Sequence, residues 1–310
     1  MDHLHQTYTF PSRTGIGHIF VQSLAPADPT AIRCVIQIVH GMAEHTDRYL
    51  DAASYFCDHG CAVIMHDHAG HGKSHNEKYP KGYFGDRDGW KKLVEDVYET
   101  TKLANKHFPG KKVILWGHSM GSFIARSYIA KYPEAVSAAV ICGTSGSNPG
   151  AAAGIVLASL FAKFKGPQTP SPLINSIAFG SYNKRFEGNT GFEWLSANEE
   201  NVQKYVADPD CGFLFTAAGY GDLFRVLKSV SGADWYAAVP KALPIYLIAG
   251  AEDPVGNYGK GVTEVFDKLR SSGHTEVSMK LYPGLRHEIH NERSNREVYD
   301  DILAFVDKQL

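Results

Sequence analysis

Cysteine is scarce in this chain and irregularly placed. Five occur, at positions 34, 57, 61, 142 and 211. The odd number and uneven spacing exclude a disulfide framework. No CxxC pair and no Cys/His pair at zinc-finger spacing accompanies them, so they read as small buried side chains, with Cys57 and Cys61 placed to share a helical face. Long apolar runs are also missing. The greasiest stretch, 151–162, is well short of the ~20 residues that a membrane span needs. The start, MDHLHQTYTF, has an acid at position 2 and no apolar segment behind a basic one. That excludes a secretory signal and makes a reducing cytoplasm the expected compartment. Nor does charge of one sign dominate. Lys and Arg number 31 against 33 Asp and Glu, a net charge of −2, with no Lys/Arg-rich run. This balance gives no general attraction to nucleic acid or anionic lipid and leaves room only for a local basic patch.

What is present is an ordinary globular composition, 44% apolar and 21% charged over 310 residues, long enough to bury a sizeable core. No internal repeat or low-complexity tract is visible. Residues 7–10 and 17–22 are β-rich pieces around a Ser-Arg-Thr-Gly turn. Residues 34–39 form a nearly continuous β-branched run, as a strand covered on both faces requires. Similar runs recur at 62–65, 113–116, 138–142, 245–249 and 277–282. Between them lie helical stripes: Trp90, Leu93, Val94, Val97 and Tyr98; Val262, Val265, Phe266 and Leu269; Val298, Ile302, Phe305 and Val306. Buried strands alternating with amphipathic helices specify an α/β fold, a mostly parallel central sheet with helices on both faces.

The alternation breaks between about Gly143 and Leu243. Gly/Ser/Pro clusters (GTSGSNPG, KGPQTPSP) and a small-residue apolar helix replace it. So long a stretch is not a connection inside a compact domain. It reads as a mainly helical cap at 144–243, inserted into a core of 1–143 and 244–310. The alternative is one continuous α-rich part of the core. The stretch 151–164 would present Ile155, Leu157, Leu160, Phe161 and Phe164 on one apolar surface, to line a pocket, touch lipid or pack inside.

Gly117-His118-Ser119-Met120-Gly121 follows a strand run and precedes a helix-like stretch, the context of a nucleophile elbow. The turn is tight, so its flanks must be small. The serine is held exposed, with backbone N–H groups of the helix N-terminus behind it. A serine hydroxyl needs a base, and the base a third group to orient it. The strand at 245–249 runs into Gly250-Ala251-Glu252-Asp253-Pro254, which places a carboxylate beyond a strand end. Asp253 precedes a proline that restricts its backbone; Glu252 is the fallback. The strand at 277–282 is followed by Pro283-Gly284-Leu285-Arg286-His287-Glu288. His287 is preferred as the base over His290 because it lies nearer the strand end. An oxyanion hole needs two N–H donors. Met120 supplies one, and Met42, in the loop His40-Gly41-Met42-Ala43-Glu44-His45, the other.

The segment His66-Asp67-His68-Ala69-Gly70-His71-Gly72-Lys73-Ser74 invites a metal reading. A dinuclear H-x-H-x-D-H site would need Asp where Gly70 stands. The segment therefore reads as a turn shaping the floor near the oxyanion loop, and no metal is expected.

Together HGMAEH, DHAGHGKS, GHSMG, GAEDPVG after a strand, and a final His after the last strand resemble the monoacylglycerol lipase and lysophospholipase-like branch of α/β-hydrolases, grouped with serine aminopeptidases. The likeness spans nearly the whole chain outside the cap and is nearer to bacterial-type relatives. Mammalian monoacylglycerol lipases carry a small residue where this chain has Met42. The resemblance implies an α/β-hydrolase fold, a Ser119–Asp253–His287 triad and an oxyanion hole from Met42 and Met120. It also implies supporting or substrate-side roles for His40, Gly41, Glu44, Arg48 and His118. The implied activity is hydrolysis of acyl esters such as monoacylglycerols or lysophospholipids through an acyl-enzyme, with no cofactor. The implied partner is a small acyl ester, with no nucleic acid and with peripheral membrane contact through the cap. Aminopeptidase or amidase activity is the alternative; it would need carboxylates such as Glu199 and Glu200 to hold an amine. A non-catalytic binding protein would have lost a triad member, and none is missing. Dehalogenase and epoxide-hydrolase chemistry would need Asp at position 119.

Overall fold

A computed structural model of the chain describes residues 3–310. The acid at position 2 lies outside the described residues. The strands are β1 (His3–Pro11), β2 (His18–Pro26), β3 (Cys34–Val39), β4 (Cys61–His66), β5 (Lys112–His118), β6 (Ala138–Cys142), β7 (Ile245–Gly250) and β8 (Val277–Tyr282). They form one sheet in the order β1-β2-β4-β3-β5-β6-β7-β8. β1 and β2 pair antiparallel, β2 joins β4 antiparallel, and every pairing from β4 to β8 is parallel. Every strand read from the sequence is present.

The helices are α1 (Leu50–Asp58), α2 (Gly89–His107), α3 (Met120–Lys131), α4 (Gly150–Lys165), α5 (Pro172–Phe179), α6 (Glu199–Ala207), α7 (Ala217–Ser229), α8 (Ala233–Ala238), α9 (Lys260–Ser271) and α10 (Asn295–Asp307). Successive strand residues point to opposite faces, and here each face has its own core. Val35, Val39, Val113 and Leu115 cluster with Leu93 and Val97 of α2, Ile124 of α3 and Val265 of α9. Ile36, Ile38, Ile114 and Trp116 cluster with Phe56 of α1 and Ile302 of α10. This double covering is why the central strands are apolar at nearly every position.

Cys57 and Cys61 do not share a helical face. α1 stops at Asp58, Gly60 takes φ +78°, and Cys61 opens β4. A Cβ at Gly60 would lie 2.9 Å from the Ala31 carbonyl oxygen, so only glycine fits this helix stop. All five cysteines are buried free thiols.

Helices α4 to α8 fill the stretch 144–243 in two layers. α4 and α5 leave Val156, Leu160, Phe164, Leu173 and Ile177 exposed. On their inner sides Ala151 and Ala158 of α4 and Ile174 of α5 join the core cluster that contains α2 and α3, as do Tyr220 and Val226 of α7 and Trp235 of α8. Arg126 of α3 ties both ends of the stretch. Its buried guanidinium donates to Thr144 Oγ1 at 3.2 Å, to the Ser145 carbonyl at 2.8 Å and to the Val230 carbonyl, and stacks on Trp235. No helix of the described residues is long and apolar enough to cross a membrane.

Candidate active site

The loops leaving the C-terminal ends of β3, β5, β7 and β8 meet at one edge of the sheet, where open α/β folds bind their ligands. Ser119 sits between β5 and α3 with φ +55° and ψ −123°. A non-glycine residue at such a φ is strained, and strain of this kind is a feature of functional sites. The turn is held by the Ser119 N–H donating to the Cys142 carbonyl at 3.0 Å. Its flanks must be glycine. A Cβ at Gly117 would lie 2.5 Å from the Gly121 carbonyl oxygen, and one at Gly121 would lie 2.1 Å from that of Val39.

His287 Nδ1 is 2.9 Å from Asp253 Oδ2, and both side chains are buried. The other Asp253 oxygen accepts from the Val255 N–H at 2.8 Å. Nδ1 therefore carries the proton, and Nε2 is left as the basic nitrogen. Burial alone would lower the His287 pKa; the charge of Asp253 and its hydrogen bond outweigh burial and raise it. Gly143 makes room for the ring, since a Cβ there would lie 3.1 Å from His287 Cε1. His290 is elsewhere. It stacks on Tyr49 at 4.7 Å, and burial drives its pKa down to about 3. Glu252 occupies the turn before Asp253, where its N–H donates to the Leu285 carbonyl.

The loop after β3 approaches Ser119 closely: a Cβ at Gly41 would lie 3.1 Å from Ser119 Cβ. The Gly41 N–H is engaged by Glu44 Oε1 at 2.6 Å. Among the described residues, the N–H groups of Met42 and of Met120, the first residue of α3, donate to no protein acceptor. The end of a helix leaves such donors free. Both residues line the same cavity as Ser119 and His287.

Glu44, Arg48 and His118 form a buried network with partners that the sequence did not reveal. Arg48 donates to Glu44 Oε2 at 2.7 Å and to both oxygens of Glu288 at 2.7 and 2.6 Å. Asn201 of α6 donates to Glu288 at 2.7 Å. Tyr49 OH donates to Glu44 at 2.8 Å, and His118 Nδ1 lies 3.1 Å from that hydroxyl and 3.3 Å from Glu44 Oε1. Burial would raise both carboxyl pKa values. The bond to His118 and the charge of Arg48 instead hold Glu44 well below its ordinary value, and Arg48 holds Glu288 at about 2. Glu44, Glu288 and His118 line the cavity, whereas Arg48 and His40 do not. His40 is buried beneath, accepting the His68 N–H at 2.9 Å on Nε2. His68 and His71 pack ring against ring on it and His66 on His68, with Phe84 and Phe213 beside His71.

The cavity measures about 730 Å³, a size suited to a small organic ligand. Ser119 and His287 lie at its polar end. Its walls are Phe123, Leu157, Ile174, Phe213, Leu223 and Phe224, contributed by α3, α4, α5, α7 and the loop before α7. Among the described residues no Lys or Arg lines it. Trp194 also borders it, with its ring centroid 5.1 Å from that of His287. No periodicity marks Trp194 or Glu288, because the fold brings them to the site from a single 3-10 turn and from the loop after β8.

The sheet, the strained serine turn and the cavity define a serine hydrolase of the α/β-hydrolase fold. Residues 30–294 match the family described as serine aminopeptidase, S33, and the chain belongs to that family, in its monoacylglycerol lipase and lysophospholipase-like branch. It is 28% identical to a monoacylglycerol lipase of Mycolicibacterium smegmatis, over 96% of this chain and 97% of that protein. A thermostable carboxyl esterase from Bacillus coagulans, solved in complex with glycerol, is 32% identical, with a TM-score of 0.91 over 98% of each chain. A lipase solved in an open form is 30% identical, with a TM-score of 0.90 over 99% of each chain.

Proposed function

We propose that the protein hydrolyses carboxylic esters of acyl chains, such as monoacylglycerols or lysophospholipids, with Ser119 as nucleophile. His287 Nε2 takes the serine proton as Oγ attacks the ester carbonyl, and Asp253 steadies the resulting imidazolium. The N–H groups of Met42 and Met120 receive the oxyanion. His287 returns the proton to the leaving alcohol, leaving an acyl-serine. Water, deprotonated by the same imidazole, releases the acid and restores the serine. These steps require no metal or organic cofactor. Residues 144–243 act as the cap, and their apolar lining takes the acyl chain. A cytoplasmic location fits the five free thiols.

The observation that carries this reading is the cavity, apolar along its walls and ending at Ser119 and His287. Its polar end favours a neutral head group. Two carboxylates, Glu44 and Glu288, face it, and the Arg48 guanidinium beside them is bonded to both. Glycerol esters therefore rank above lysophospholipids. Amide cleavage is the second reading, kept by the family's name. Glu199 and Glu200, the candidates for holding an amine, are exposed at the start of α6 and outside the cavity lining, with Glu200 paired to Lys204.

Initial rates on p-nitrophenyl esters of rising chain length, a monoacylglycerol, a lysophosphatidylcholine and an alanine p-nitroanilide test this. Ester cleavage by the wild type that vanishes in Ser119→Ala is expected, with monoacylglycerol preferred over the phospholipid. Anilide cleavage with inert esters would replace the reading with the peptidase one. Ester cleavage that survives Ser119→Ala would overturn the assignment of the nucleophile.

A further inference from the structure

The loop that carries His287 does not stand on the sheet alone. It hangs from a segment of the cap, residues 193–198, between α5 and α6. The His287 N–H donates to the Trp194 carbonyl at 3.4 Å, and the Glu288 N–H to the Leu195 carbonyl at 2.7 Å. Arg286 Nη1 donates to the Glu193 carbonyl at 2.7 Å and to the Ser196 carbonyl at 3.0 Å. From the other side, Glu292 accepts the N–H groups of Ala197 at 2.8 Å and Asn198 at 3.0 Å. On this lacing rides the indole of Trp194, inclined 40° to the His287 ring. The indole is itself held edge-on by Tyr182 at 5.1 Å, and its backbone N–H donates to Asn183 Oδ1 at 2.9 Å.

We propose that Trp194 is a positioning residue for His287, and that the 193–198 segment of the cap is thereby a working part of the catalytic apparatus rather than a removable cover. The inference rests on the proposed role of His287 as base. Asp253 fixes one ring nitrogen, and the His118 ring packs beside the imidazole with its centroid 4.7 Å away. The tilted indole of Trp194 adds the contact from the cap, and together they restrict swing of the ring about the Asp253 bond. The indole also keeps bulk water off the Asp253 hydrogen bond. Lifting 193–198 away from the sheet would therefore unseat the base.

Trp194→Ala and Trp194→Phe, compared on a short p-nitrophenyl ester, decide the matter, with Ser119→Ala as control. A short ester does not need the far wall, so a lining role would show in KM. A positioning role lowers kcat by about tenfold to a hundredfold with KM little changed, and Trp194→Phe recovers most of it. The second readout is the downfield proton resonance of the His287–Asp253 hydrogen bond, assigned by its loss in His287→Ala. It should broaden or disappear through exchange with water in Trp194→Ala and persist in Trp194→Phe. This readout needs only a folded protein and does not depend on turnover. An unchanged kcat together with an intact resonance in Trp194→Ala would sink this proposal alone. Ester cleavage surviving Ser119→Ala would remove the reading beneath it as well.

Discussion

His287 is subject to opposed influences, and the balance between them is measurable. Burial favours the neutral ring, while Asp253 favours the charged one and prevails. A base works when unprotonated, so the acid limb of kcat/KM should lie above the ordinary histidine value of about 6.5. Asp253→Asn removes the charge but leaves the burial. The limb should then move to lower pH, and kcat should fall by about 10³–10⁴-fold through loss of the correct tautomer. An acid limb unmoved by that substitution would mean that another group titrates there. Arg48 makes a separate case. It joins two carboxylates that are each about 2% exposed. Arg48→Met leaves both uncompensated, and breaking a buried pair in this way costs roughly 3–5 kcal/mol. Urea unfolding measures this directly; a loss under about 1 kcal/mol would show that the network relaxes or hydrates freely.

At the scale of elements, the strands were legible because two-sided burial demands an unbroken apolar run, and such runs stand out between turn residues. Cys34–Val39, Ala138–Cys142 and Val277–Tyr282 match the sequence reading residue for residue. The serine turn was legible for a related reason: its glycines answer backbone collisions that any chain making that turn would meet. The cap was not legible in its layering. α7 is amphipathic like the core helices, and nothing local tells whether its apolar side meets the sheet helices or a ligand. The polar partners of Arg48 were hidden because Glu288 and Asn201 approach from distant segments. α4 shows the converse, with apolar residues on more than one side. Leu160 is 49% and Phe164 75% exposed on its outer face, close to Lys163 and Lys165. We propose that this face, with α5, rests on a lipid surface and delivers acyl substrates to the cavity. Apolar insertion beside basic residues suits an anionic bilayer. The double substitution Leu160→Asp and Phe164→Asp should abolish co-sedimentation with vesicles containing phosphatidylserine, while leaving cleavage of a dissolved p-nitrophenyl ester within about twofold, because neither residue lines the cavity. Equal vesicle binding by both proteins would refute the assignment of that face.

For the molecule as a whole, an unusual store of buried imidazole sets the response to acid. His40, His66, His68, His71 and His290 are all buried. In each the largest influence is burial, and it lowers the pKa, to about 3 for His66 and His290 and about 4 for His71. The unfolded chain titrates these groups near 6.5, so below that pH it binds protons that the native state refuses. Stability they contribute is present above about pH 6.5 and is lost as pH falls toward 4. Groups whose native pKa is raised act in the opposite sense, His287 among them. Burial raises Asp96 and Asp222 to about 7, so the native state holds their protons when the unfolded chain has released them. The histidines outnumber these acids, leaving the unfolded state ahead by about one proton at pH 6.5 and two to three at pH 5.5, a loss of roughly 2–3 kcal/mol over that pH unit. Against a total stability of about 5–15 kcal/mol, that is a substantial fraction. Unfolding free energies from urea titrations at pH 7.5, 6.5 and 5.5 should fall in that order, steepening below 6.5. His66→Leu removes one titrating ring, both of whose nitrogens lack protein partners, and should flatten the slope by about one proton, or 1.4 kcal/mol per pH unit. A stability that is flat or rises from pH 6.5 to 5.5 would show that water or partner groups reach these rings, and that burial does not set their titration.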